Sequence, residues 1–135
     1  MRRFDAYRSA LEVLETAPEQ DLENEFVKSG IVDKFSMQFE LGWKLLKDLL
    51  RHEGDLAGSS GSPREVLKAA NACFDFIDED AWLVMLRDRN AIMHVYDADE
   101  MNALISRILD TYIPAFKELA DAIDRRYGEE LNSIA

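Results

Sequence analysis

The stretch from Asp21 to about Glu53 constrains the fold more than any other part of the chain. Its residues Phe26, Ile31, Phe35, Phe39, Gly42, Leu45 or Leu46, and Leu49 recur at the spacing of one helical face. Asp21 or Asn24 is placed to cap this helix, and Gly54 to end it in the left-handed conformation. Gly42 inside the stripe costs helix propensity, so a close helix–helix approach is expected there. An apolar stripe this long has to be covered by other helices.

The rest of the chain supplies them. Phe4, Tyr7, Leu11 and Leu14 mark a first helix from Arg2 to about Thr16, which Pro18 ends. After the long helix, the run from Gly54 to Gly61 has the composition of a flexible loop. Ser62-Pro63-Arg64-Glu65 is a strong helix start, with a capping serine, proline in the first turn, and a glutamate that can reach back. Val66, Leu67, Ala70, Cys73 and Phe74 give that helix its apolar face. Asp78-Glu79-Asp80 opens a fourth helix, with Trp82, Met85, Leu86 and Met93 as its buried candidates. Asp97 and Glu100 start a fifth, whose stripe is Met101, Leu104, Ile108, Tyr112, Phe116, Leu119 and Ile123. Pro114 falls inside that stripe and should kink the helix near Asp110. With no alternating strand pattern, no repeat and no boundary, residues 1–135 read as one all-α domain, an antiparallel (up-down) bundle of about five helices.

Composition removes several functions. No run of eighteen apolar residues exists, so no membrane span is expected, and Met1-Arg2-Arg3-Phe4-Asp5 lacks the apolar core of a secretion signal. A single cysteine, Cys73, rules out an internal disulfide and suits the cytoplasm; on an apolar face it reads as a buried small hydrophobe. The net charge of -11 disfavours non-specific binding to nucleic acid or anionic membranes, but leaves room for a local basic site. Two histidines, His52 and His94, lie in separate helices without ligand spacing, so no metal or other cofactor is expected. His52 is explained by a helix C-terminus.

Chemistry concentrates in Arg87-Asp88-Arg89-Asn90-Ala91-Ile92-Met93-His94-Val95-Tyr96-Asp97. Arg87, Asn90 and His94 share one helical stripe, and Arg89 and Tyr96 a neighbouring one. Arginine stabilises phosphate charge and histidine moves protons near neutrality, so Arg89 with His94 suits phosphodiester cleavage without metal. Five residues apart, they diverge by about 140° on an ideal helix. They converge only if the last turn loosens or a second copy completes the site. On spacing alone, solvated arginines paired with Asp88, Asp97 or Asp99 are the favoured reading.

The chain resembles the nucleotidyltransferase substrate-binding protein family of the HEPN superfamily. The resemblance runs through Gly30-Ile31-Val32-Asp33-Lys34-Phe35, Phe39-Glu40-Leu41-Gly42-Trp43-Lys44-Leu45-Leu46-Lys47, Ser62-Pro63-Arg64-Glu65-Val66, and Trp82 to Asn90. It continues in His94-Val95-Tyr96 and Tyr112-Ile113-Pro114-Ala115-Phe116. It implies a HEPN-like helical bundle that forms a homodimer and pairs with a small nucleotidyltransferase subunit. Members with ribonuclease activity are toxins of two-gene toxin–antitoxin systems, with the nucleotidyltransferase as antitoxin. Their arginine–histidine motif maps onto Arg89 and His94, with Asn90 and Arg87 as supporting residues and RNA as substrate.

In some relatives the antitoxin adds AMP to a tyrosine two residues after the histidine, the place Tyr96 holds here. Apolar Ala91-Ile92-Met93 stands where relatives often carry small polar residues. Two functions therefore remain open, a metal-independent endoribonuclease toxin and a non-catalytic substrate-binding subunit. The exposed side of the Trp82–Met93 helix is expected to contribute to the two-fold contact.

Overall fold

A computed structural model describes residues 1–95 and 97–134, and among them there is helix and turn but no strand. The first two helices, α1 (Arg2–Leu14) and α2 (Glu25–His52), pack antiparallel: Arg3 pairs with Asp48, and Gln38 Nε2 donates to the Tyr7 carbonyl at 3.0 Å. Asn24, not Asp21, caps α2, its Oδ1 accepting from the backbone N–H groups of Phe26 and Val27. Such a cap stabilises by ~1 kcal/mol. Ile31, Phe35, Phe39, Leu49 and both Leu45 and Leu46 are buried as the stripe requires. Phe26 is not; in the first turn of α2 it is 88% exposed.

Gly54 ends α2 at φ 83°, the left-handed region expected of it. The segment after it is more ordered than its composition suggested. Residues Ala57–Ser60 form a single helical turn, α3, and Gly58 packs so closely on Arg51 that an added Cβ would lie 2.3 Å from the Arg51 backbone nitrogen. A capping box between Ser62 and Glu65 then starts α4 (Pro63–Cys73). Val66, Leu67 and Ala70 bury against α2, whereas Cys73 closes the helix on its exposed side. The last residue to face inward there is Phe74.

Asp78 caps α5 (Glu79–Ala91), and Asp97 caps α6 (Ala98–Arg107) through the Glu100 N–H at 2.7 Å. The chain passes from α6 through a π-helical turn, Ile108–Tyr112, into α7 (Ile113–Tyr127). Pro114 in the first turn of α7 has no N–H for the Asp110 carbonyl, and the expected kink takes the form of this widened turn. The five long helical stretches are therefore α1, α2, α4, α5 and the α6–α7 pair. Trp82 meets Phe116 while Asp88 meets Arg107, so α5 runs antiparallel to α6–α7.

Trp82 is the centre of the core. Its indole lies over Gly42, where an added Cβ would sit 2.6 Å from one ring carbon, and it contacts Phe39 and Phe116 edge-on or tilted. Gly42 does mark a close approach, but of an indole into α2, not of two helix backbones. Tyr7 completes this centre by donating its hydroxyl to the Phe116 carbonyl at 2.7 Å, which ties α1 to α7.

Candidate functional site

The expected site lies where α5 ends. Its last α-helical residue is Ala91, and Ile92–His94 continue as a 3-10 turn. The turn tightens where convergence of Arg89 and His94 needed it to loosen. Three of the five steps between them turn by about 120° in place of 100°, which leaves the two Cα directions about 160° apart. Arg89 and His94 therefore leave the helix on nearly opposite sides.

Arg89 turns toward α2. Its guanidinium forms an ion pair with Glu40, stands 5.6 Å from the centre of the Phe39 ring, and donates to Asn90 Oδ1 at 3.0 Å. The side chain keeps 28% of its exposure, enough for an incoming anion to reach one edge. Asn90 is exposed, and so is Arg87, with its nearest carboxylate oxygen on Asp88 at 3.8 Å. Met93, expected in the core, is 80% exposed on the 3-10 turn. Trp82 and Met85 are fully buried, so of the apolar residues expected at a two-fold contact only Met93 is available. Tyr96 lies outside the described residues.

His94 is exposed and lines a recess of about 330 Å³ between the end of α5 and α6. Asp88, Ala91 and Val95 form the wall on its own side, and Glu100, Ala103, Leu104 and Arg107 the wall from α6. The guanidinium in this recess is thus Arg107, not Arg89. Arg107 is held from behind: Asp88, only 6% exposed, accepts from its Nε at 2.8 Å and Nη2 at 3.2 Å. The same carboxylate accepts the hydroxyl of Tyr112, which the π turn carries toward α5.

The shifts follow from these contacts. The hydrogen bond to Asp88 raises the Arg107 pKa, so this cation does not lose its charge. Burial, reinforced by the adjacent Asp88 carboxylate, pushes the Tyr112 hydroxyl from 10.0 up to about 12. Sequence reasoning noticed Asp88 only as a neighbour for surface arginines. The missed signal is its register: three residues after buried Met85, it falls on the core face, where a carboxylate demands a partner. Glu40 was legible only as part of a family motif, and Arg107 not at all.

Elsewhere the side chains serve the fold. His52 contacts Glu130 at 3.2 Å and the Tyr127 ring, tying the end of α2 to the turn after α7. Among the described residues no group of three potential metal ligands converges, and no helix is long and apolar enough to cross a membrane.

No curated protein matches the chain. A sequence profile of the family described as nucleotidyltransferase substrate binding protein like does, over residues 2–125. That match takes in every long helix except the last two residues of α7, with the buried Asp88 cluster, Arg89 and His94, and the chain belongs to this family.

Proposed function

We propose that this protein is the partner subunit of a small nucleotidyltransferase and is itself a metal-independent endoribonuclease of HEPN type. The pair would form a cytoplasmic two-gene toxin–antitoxin unit with the nucleotidyltransferase as antitoxin. The observation that carries the reading is the state of Arg89. Glu40, Asn90 and the Phe39 face fix its guanidinium in position, yet one side remains open to solvent. A preset and still accessible arginine is what a phosphate clamp requires.

In the reaction, the ribose 2′-oxygen attacks the neighbouring phosphorus, the bond to the next nucleotide's 5′-oxygen breaks, and a 2′,3′-cyclic phosphate remains. The 2′ proton leaves to a base and the 5′-oxygen receives one from an acid, the tasks assigned to His94. Arg89 offsets the charge gathering on the phosphoryl oxygens. Because Arg89 and His94 diverge within one chain, the cleft is assigned to a homodimer in which Arg89 of one protomer meets His94 of its partner. Asn90 and Arg87 flank it as supporting polar groups.

A second reading, a non-catalytic substrate-binding subunit, draws on the same ion pair: Glu40 already meets the Arg89 charge, and the chain as a whole carries -11. Incubating the purified protein with RNA in EDTA separates them. Cleavage that persists with chelator and falls ~10²–10⁴-fold in His94→Ala supports the ribonuclease. Intact RNA, with the nucleotidyltransferase still bound, leaves the non-catalytic subunit.

A further inference from the structure

We infer that the face of α2 beside Arg89 is a track for single-stranded RNA, in which Lys44 and Lys47 hold phosphates and Trp43 stacks a base; this rests on the proposed ribonuclease and assigns the path of the strand that leads to the cut. The track begins at Glu40. One oxygen of that carboxylate meets Arg89 and the other meets Lys44 Nζ at 3.6 Å, so cations from two helices are drawn to one anion. The Lys44 side chain keeps 46% of its exposure. Its Nζ also stands 6.0 Å from the centre of the Trp43 ring, and Lys47 Nζ stands 5.7 Å from the same ring. Arg89, Lys44, Trp43 and Lys47 are therefore joined by contacts into one row, which from Glu40 to Lys47 covers about 10 Å of α2.

The row sets three cations against one carboxylate, in a chain whose net charge is -11. Lys47 pairs with no carboxylate among the described residues. Asp48, the next acid along α2, is already held by Arg3 at 2.6 Å and by Arg51 at 3.0 Å. Screening confines fields at the surface to about 8 Å, so the acidic remainder of the chain does not cancel a row this compact. Trp43 adds a flat ring to the charges. It packs against the core but stays only partly buried, and its Nε1–H is enclosed without a hydrogen-bond partner. The fold bears the cost of an unpaired donor that phenylalanine or leucine would avoid, so what tryptophan supplies here is its ring. Lysines beside an aromatic face suit an unpaired strand: phosphates draw the ammonium groups off the ring, and a base takes the face they leave. A duplex offers no free base to stack, and a lone phosphate makes no use of Trp43.

End-labelled single-stranded RNA with 2′-O-methyl riboses tests this, because it keeps the phosphates and bases but lacks the attacking hydroxyl. Its affinity is read by fluorescence anisotropy over a range of salt. Each lysine that meets a phosphate of a single strand adds about 0.7 to the magnitude of the slope of log K against log salt, so Lys44→Gln with Lys47→Gln should lower it by about 1.4. Lys117→Gln, on α7 and paired with Asp121, should leave the slope unchanged. RNA should quench Trp43 emission, and no quenching is expected in Trp43→Phe, where only buried Trp82 emits. Trp43→Leu should weaken binding about fivefold or more, the loss of one stacked base. Absence of RNA binding, a slope indifferent to both lysines, or unquenched Trp43 overturns the track. So does loss of nucleotidyltransferase binding in the double lysine variant with RNA binding intact, which would make this face a protein contact. Cleavage of unmodified RNA is scored separately. Binding that needs the lysines without any cleavage retires the ribonuclease and keeps the track, whereas cleavage indifferent to both lysines does the reverse.

Discussion

Gly42→Ala is the sharpest test of how the bundle is assembled. The new methyl would lie 2.6 and 2.9 Å from two carbons of the Trp82 ring and 3.2 Å from Tyr7. Neither ring can retreat: Trp82 is enclosed by Phe39 and Phe116, and the Tyr7 hydroxyl is bonded to the Phe116 carbonyl. Overpacking a site of this kind costs ~1–3 kcal/mol, and two contacts under 3 Å put Gly42 at the upper end. Alanine returns ~1 kcal/mol of helix propensity, so the net loss is about 1–2 kcal/mol. For a domain of this size that is a fall in Tm of roughly 3–10 °C. Thermal and urea unfolding of Gly42→Ala, Trp82→Phe and the double variant would measure it. The smaller ring in Trp82→Phe makes room for the methyl, so the two changes should couple favourably by about 1 kcal/mol or more. A Gly42→Ala protein as stable as the parent, or a cycle with no coupling, would refute the account of Gly42 as the seat of the indole.

Two further outcomes follow from the site and a third from the proposed pairing with a nucleotidyltransferase. Asp88→Asn should lower stability by about 1–3 kcal/mol in urea unfolding, because it weakens charge-assisted bonds to Arg107 and Tyr112 at a buried position. The folded state holds the Tyr112 hydroxyl at about 12 against 10.0 in its ordinary environment, so its contribution is complete below pH 10 and is lost as pH rises toward 12. Tyr112→Phe should flatten part of the fall in stability between pH 10 and 12, the remainder belonging to Tyr7 and Tyr127, which burial also raises. If the nucleotidyltransferase silences this chain by transferring AMP to Tyr96, mass spectrometry after incubation with that partner and ATP should find the added mass on the Tyr96 peptide. Tyr96→Phe should then escape control; modification elsewhere would return Tyr96 to an unassigned role.

Most of the fold was legible because helices announce themselves by period and by caps. Asn24, Ser62, Asp78 and Asp97 each accept the backbone N–H that their positions implied, and Gly54 takes the expected left-handed turn. The failures lie at helix ends. Phe26 and Met93 have the right spacing to be core, but the spacing of a residue does not reveal whether another helix reaches that far. Cys73 likewise sits one residue before the chain leaves the helix, where its face is no longer covered. The Gly-Ser run after α2 was misread because its small residues serve close packing on Arg51 as well as freedom.

The site was harder to read because it depends on the rotation of α5 about its own axis, which Arg87-Asp88-Arg89 determines together. Successive residues on a helix point about 100° apart, so three adjacent charges cannot share a face. Burying Asp88 against Arg107 and Tyr112 takes the inward direction. One step on, Arg89 is turned to Glu40 on α2, and one step back Arg87 is turned to solvent. Leaving Asp88 unpaired in the core costs more than any surface ion pair returns, so Asp88 holds the rotation together with buried Trp82 and Met85, and the arginines follow. The direction in which His94 leaves the next turn is set by the same choice. A sequence motif made of Arg89 and His94 therefore depends for its geometry on the aspartate just before it, and a variant that loses Asp88 should disturb both sides of α5 at once.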